Sequence, residues 1–175
     1  MKKAAVIGLG DISKIHIPII ESSPDMVLCA VCDSNPEAKE AAPSGTAFYT
    51  DYHEMVEKER PDCVHVCLPH YLHYPVTKEL VEMGCSGFCE KPVALNTEEA
   101  ERFVRLEEAH PEVRITICLQ NRLNESVELL KKLIESGEYG QVVGTRGIVP
   151  WYRPAEYYRV KPWRGSWITA GGGCM

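Results

Sequence analysis

The 175-residue sequence contains no apolar run near the ~20 residues that a membrane-spanning helix needs. Met1-Lys2-Lys3 leads into only a few apolar residues before Gly8, too few for the apolar region of a secretion signal. Basic residues are in the minority. There are 19 Lys and Arg against 25 Asp and Glu, a net charge of −6, and an isoelectric point of about 5.5. No basic cluster is dense enough to hold nucleic acid. Internal repeats and low-complexity tracts are absent as well. These absences lead us to expect a soluble, cytoplasmic protein with neither a membrane nor a nucleic-acid partner. The length suffices for one sizeable core, or for one and a half domains.

Cysteine, in contrast, is abundant, with eight residues. Cys29/Cys32, Cys63/Cys67 and Cys85/Cys89 have spacings found in metal sites, yet each pair lies among Val, Ala and Leu in strand-like segments. There a cysteine behaves as a small buried hydrophobe, whereas zinc knuckles place their pairs in glycine-bearing turns. We expect no metal site and no structural disulfide.

The strongest local signal is at the amino end. The apolar run Lys3-Ala4-Ala5-Val6-Ile7 enters Gly8-Leu9-Gly10-Asp11-Ile12-Ser13, and a helical pattern follows to Ser22. Strand, glycine turn and helix present backbone N–H groups and a helix N-terminus to a pyrophosphate. Gly8 suits the tight turn and Gly10 the close approach of phosphate, with Asp11 and Ile12 completing the cradle. Ser13 replaces the third glycine of the fingerprint but is small enough for helix–strand packing. A second apolar run, Met26 to Cys32, ends at Asp33. A carboxylate there suits a ribose 2′-hydroxyl and repels a 2′-phosphate, so NAD is expected as cofactor rather than NADP. The alternative role for Asp33 is to cap the turn before Pro36.

Strand-like and helical patterns then alternate. Strands are expected at residues 3–8, 26–32, 46–48, 63–67, 86–89 and 114–119. Helices are expected at 12–22, 36–42, 51–59, 73–83, 97–109 and 123–136. Asn96-Thr97-Glu98-Glu99 opens one helix with a capping residue and first-turn acids. This order predicts an α/β fold with a doubly wound parallel sheet of Rossmann type. Residues 1–122 are expected to form the dinucleotide-binding domain. Residues 123–175 are expected to form a bridging helix and the start of a truncated second α/β domain, with 141–152 a long strand. That strand would find no later partner in this chain, so beyond about residue 140 the chain is expected to be disordered, misplaced or paired with another copy, and a homo-oligomer is expected.

In such a sheet, ligands bind at the carboxyl ends of the strands. The fourth strand ends at Leu68-Pro69-His70, with His73 three residues on. The fifth ends at Glu90-Lys91-Pro92 and the sixth at Gln120-Asn121-Arg122. Polar and ionisable groups from three strand ends thus reach the edge that bears the glycine turn. Together with Trp163-Arg164-Gly165 and the run Gly171-Gly172-Gly173, these segments resemble the glucose–fructose oxidoreductase and inositol dehydrogenase (Gfo/Idh/MocA) family along essentially the whole chain. The resemblance implies hydride transfer between a nicotinamide and a sugar, sugar acid, nucleotide sugar or polyol.

It also implies roles. Lys91 matches the family lysine beside the nicotinamide and the substrate hydroxyl, and Glu90 the residue orienting Lys91 or the nicotinamide ribose. Leu68, Pro69, His70 and His73 match the cofactor-contacting turn, although the family commonly has Asn where His70 stands. For His73 a capping or packing role is equally open. The Lys91–Pro92 bond is expected to be cis. Asn121 and Arg122 match a cleft-lining segment, and Trp163 and Arg164 are candidates for holding the substrate. His16, on the first helix, is expected to be a packed histidine. In relatives a glycine run leads into a stretch bearing the histidine that acts on the substrate hydroxyl, and this sequence stops before it. The chain is therefore expected to lack that catalytic histidine. The alternatives to an enzyme are an NAD-binding module without turnover, and an assembly fragment.

Overall fold

The computed structural model describes residues 1–172; Gly173 of the glycine run lies outside the described residues. Two compact units are present. One comprises residues 1–118 together with 163–172, and the other residues 119–162. Trp163 and Arg164, expected with the second domain, therefore pack in the first unit.

The first unit is built on six parallel strands: β1 (Lys2–Ile7), β2 (Met26–Cys32), β3 (Ala47–Tyr49), β4 (Cys63–Val66), β5 (Ser86–Glu90) and β6 (Ile115–Cys118). Their order is β3-β2-β1-β4-β5-β6, so the chain reverses direction across the sheet between β1 and β4. The sheet is buried on both faces, which is why its strands read as near-continuous apolar runs. Along β1, Ala5 and Ile7 join one core with Met55 and Val56 of α2 (Tyr52–Glu59) and Val76 and Leu80 of α3 (His73–Glu82). Ala4 and Val6 join the opposite core with Ile17 and Ile20 of α1 (Ser13–Ser22). Alternation along a strand thus divides each apolar run between two helical layers. On α3, Val81 packs with Leu106 of α4 (Thr97–Ala109).

Helix starts follow the expected chemistry. Asn96 Oδ1 accepts the Glu99 N–H at 2.9 Å at the head of α4, and Asp51 Oδ1 accepts the His53 N–H at 2.8 Å at the head of α2. The segment Pro36–Ala41 is a tighter 3₁₀ turn. The cysteines of β2, β4 and β5 are free. Burial first of all pushes the thiols of Cys32, Cys85 and Cys89 up to about 12 and that of Cys63 up to about 11, so they pack as thiols rather than reacting as thiolates.

The second unit contains α5 (Glu125–Ser136) and α6 (Ala155–Val160). Gly137, with φ of +70°, ends α5 in the left-handed conformation that glycine adopts without penalty. The strand expected over residues 141–152 does not form; that stretch has no regular structure. A strand needs a ladder partner, and local β propensity does not supply one. The last short helix, α7 (Trp167–Ala170), returns with the first unit.

Candidate cofactor and catalytic site

The glycine turn joins β1 to α1. Gly8 has φ of +92°, and a Cβ there would stand 2.6 Å from the Cys67 carbonyl oxygen. Glycine is required both for the backbone angle and for the close passage of β4. Ser13 explains the imperfect fingerprint. It is buried, and its hydroxyl donates to the Gly10 carbonyl at 2.8 Å, so the extra oxygen is satisfied inside the turn. Ile12, the residue before α1, offers no side-chain cap to the helix. A helix start whose preceding residue offers no side-chain cap suits an incoming phosphate.

Asp33, just beyond β2, closes the turn from the other side. Its Oδ2 accepts the Leu9 N–H at 2.8 Å, and its Oδ1 accepts the Asn35 N–H at 2.9 Å. The capping role expected of Asp33 is present, and the bond to Leu9 is a further one. Asp33 braces the glycine turn and caps the turn before Pro36, and a carboxylate oxygen keeps acceptor capacity beyond a single N–H.

The fourth strand end carries Leu68, Pro69 and His70. Leu68 packs its side chain on the core. His73, at the start of α3, is fully buried. Its Nδ1 faces the Pro92 carbonyl oxygen at 2.8 Å and its Nε2 the Leu68 carbonyl oxygen at 2.9 Å. One ring thus bridges the β4 end to the segment after β5. The Lys91–Pro92 bond is cis. Lys91 itself is exposed at the carboxyl end of β5.

Glu90 is buried. Its Oε1 lies 2.9 Å from His16 Nε2 on α1. His16 is thus more than the packed histidine expected of it; it bonds the carboxylate next to Lys91. Burial pushes the Glu90 carboxyl up, but hydrogen bonds from His16 and Cys118 and the neighbouring Lys91 charge outweigh it, so it sits below the usual glutamate range. Donor atoms of His16, Glu90 and Cys118 lie within 4.8 Å of one another, a grouping that the Cys-x-x-Cys spacings gave no hint of.

The returning segment 163–172 packs against the same edge. An Arg164 guanidinium nitrogen donates to Asp11 Oδ2 at 3.0 Å. The His70 ring meets Trp163 edge-on, with centroids 4.7 Å apart, and His70 Nδ1 lies 3.2 Å from the Ala170 carbonyl oxygen. Burial lowers the His70 pKa, against the raising effect of the Ala170 carbonyl. Trp163 and Arg164, candidates for substrate, thus stand beside Asp11 and His70, candidates for cofactor. Asn121 and Arg122 lie in the second unit, in the turn before α5. Arg122 lines a shallow groove there with Leu123, Val127 and Glu128.

Residues 2–134 match the family model of the oxidoreductases with an NAD-binding Rossmann fold, the Gfo/Idh/MocA family. The chain belongs to this family. As a Gfo/Idh/MocA member it is 29% identical over 157 residues to an inositol 2-dehydrogenase of Corynebacterium glutamicum, covering 83% of this chain and 44% of that protein. It is 28% identical over 147 residues to the D-glucoside 3-dehydrogenase of Escherichia coli, covering 82% and 42%. Among solved structures, it superposes on the WlbA dehydrogenase of Bordetella pertussis, described in complex with NADH and UDP-GlcNAcA. The TM-score is 0.89 and the identity 34%, covering 95% of this chain and 51% of that one. The chain thus spans about half the length of these relatives or less. The family's cofactor is NAD.

Proposed function

We propose that this chain is the cofactor-binding part of an NAD-dependent dehydrogenase that oxidises a hydroxyl-bearing carbon of a nucleotide-linked sugar acid. The observation that carries the reading is one of placement. The glycine turn, Asp33, His70 and Lys91 follow β1, β2, β4 and β5 in a single parallel sheet, at the edge where the strand order reverses. Bound there, NAD supplies the hydride acceptor. The first-turn amides of α1 and Gly10 hold the pyrophosphate, Asp33 accepts from the adenosine ribose, and Arg164 adds positive charge beside Asp11. Lys91 would lend its ammonium to the substrate oxygen and stabilise the alkoxide left when a base or water takes the hydroxyl proton, and that charge becomes the carbonyl bond as hydride passes to the nicotinamide. His73 holds the segment after Lys91 in place through the Pro92 carbonyl.

Two matches support the choice of substrate class. WlbA dehydrogenases of Bordetella pertussis and Chromobacterium, both described with UDP-GlcNAcA, align with 95% and 97% of the chain at TM-scores of 0.89 and 0.90. A myo-inositol 2-dehydrogenase of Lactobacillus plantarum aligns with 81% at 0.74. Calorimetric titration with NAD and NADP, followed by NADH formation with UDP-GlcNAcA, UDP-GlcNAc, glucose and myo-inositol, tests the reading. Turnover of myo-inositol alone would reject the nucleotide-sugar assignment, and absence of nucleotide binding would reject the whole proposal. A second reading is an NAD-binding module without turnover. Saturable NAD binding without turnover of any of these substrates distinguishes it. We further propose NAD over NADP on the strength of Asp33, and a homo-oligomeric assembly.

A further inference from the structure

His65 has no part in the site described above, yet it stands in line with two residues that do. It lies on β4, on the face of the sheet covered by α1, packed against Phe88 of β5 with ring centroids 4.8 Å apart. Its Nδ1 is 2.9 Å from His16 Nδ1, and His16 Nε2 is 2.9 Å from Glu90 Oε1. His16 and Glu90 are both about one-fourteenth exposed.

With His16 neutral, the chemistry of these atoms gives the bonds a direction. A carboxylate only accepts, so His16 Nε2 must carry the proton. In a neutral imidazole the other nitrogen, Nδ1, is then a bare acceptor, and it faces His65 Nδ1, which must donate. Burial above all holds the His65 pKa down to about 4. At neutral pH His65 therefore has one ring proton, which this arrangement places on Nδ1.

We propose that His16 is a positioning residue for Glu90: His65 donates to His16 Nδ1, His16 donates to Glu90, and the chain ties the helix after the glycine turn to the strand end that carries Lys91. The bond network stands on its own geometry. Its consequence for Lys91 rests on the proposed catalytic reading. Through it, the two ends of the site, pyrophosphate turn and lysine, share one rigid connection within the first unit.

The groups facing Glu90 are His16 from α1, Cys118 from β6, Cys67 beyond β4, and its own neighbours Cys89 and Lys91. Solution NMR of the 175-residue chain without nucleotide tests the relay. Long-range proton–nitrogen spectra at pH 7.5 should show His65 as the Nδ1–H tautomer, the less favoured form of free imidazole, and His16 as Nε2–H. Carbon-detected titration should show the Glu90 carboxyl ionising below the usual glutamate range. His16→Gln, whose amide can take the place of Nε2–H, should keep it there. His16→Leu should raise it by about 1 unit or more. An Nε2–H tautomer at His65, a doubly protonated His16, or an unchanged Glu90 titration in folded His16→Leu would each overturn the proposal. Should His16→Leu fail to fold, the wild-type tautomers and His16→Gln decide. Because no nucleotide is present, failure of the cofactor reading would appear separately, in the NAD titration.

Discussion

Asp33 braces the glycine turn and, on the proposed reading, also meets the ribose, so its substitution should register in both. Asp33→Ala is expected to weaken NAD binding by about 1–3 kcal/mol, the cost of losing a charged acceptor, measured by calorimetry. NADP binding as tight as that of NAD to the wild type would contradict the role. Lys91 is a different case. It is exposed at the strand end, and an ammonium acting on a developing alkoxide contributes chiefly in the transition state. In the active enzyme Lys91→Ala should lower kcat by roughly 10²–10⁴ with NAD affinity little changed. Near-normal turnover would reduce Lys91 to a surface residue. Asp33 was legible because it follows the apolar run Met26–Cys32, and Lys91 because Glu90-Lys91-Pro92 carries the family resemblance. The Glu90–His16 bond was not, since 74 positions separate the partners and helical periodicity alone gives a buried histidine no partner.

Elements depend on each other at their ends. Gly8→Ala would set a Cβ against the Cys67 carbonyl in a backbone conformation that alanine resists, so thermal unfolding should show a loss of more than about 1 kcal/mol. His73→Leu leaves the Leu68 and Pro92 carbonyls without the ring that joins β4 to the segment after β5. Because a neutral ring donates only one hydrogen bond, we expect a loss of about 1–3 kcal/mol for the one removed, seen as a lower denaturation midpoint with unchanged m-value. The β4 histidine adds a pH dependence. Its folded pKa of about 4 lies below the ordinary 6.5, so the unfolded chain binds more protons between those values. Stability from this group is therefore full above pH 6.5 and is lost as pH falls towards 4. Urea unfolding of wild type and His65→Gln across that window should show a shallower slope in the variant; identical slopes would place the effect elsewhere.

At the scale of the molecule, α5 leaves Val127, Leu130, Leu133 and Ile134 exposed within its own unit. Apolar rows of this kind associate. The 175-residue chain should self-associate in light scattering, and a chain ending near Asn121 should remain monomeric; a monomeric longer chain would count against an apolar docking face. The sequence by itself determined the sheet. Apolar runs, glycine and proline stops and acidic helix starts are short-range signals, and observed strands such as Met26–Cys32 and Ser86–Glu90 lie within a residue of where those signals put them. It also marked the edge on which Asp33, His70 and Lys91 would meet, because parallel strands deliver their carboxyl ends to one side. What only the tertiary structure decided lies between distant segments. Residues 141–152 carry strand-like alternation yet form no strand, because a ladder requires a partner. Trp163 and Arg164 came to rest beside His70 and Asp11, on the cofactor side. His16, His65 and Glu90, on one helix and two strands, became neighbours only when α1 closed over the sheet. Pattern and propensity act over a few residues, and hydrogen bonds across the core exist only once the layers have packed.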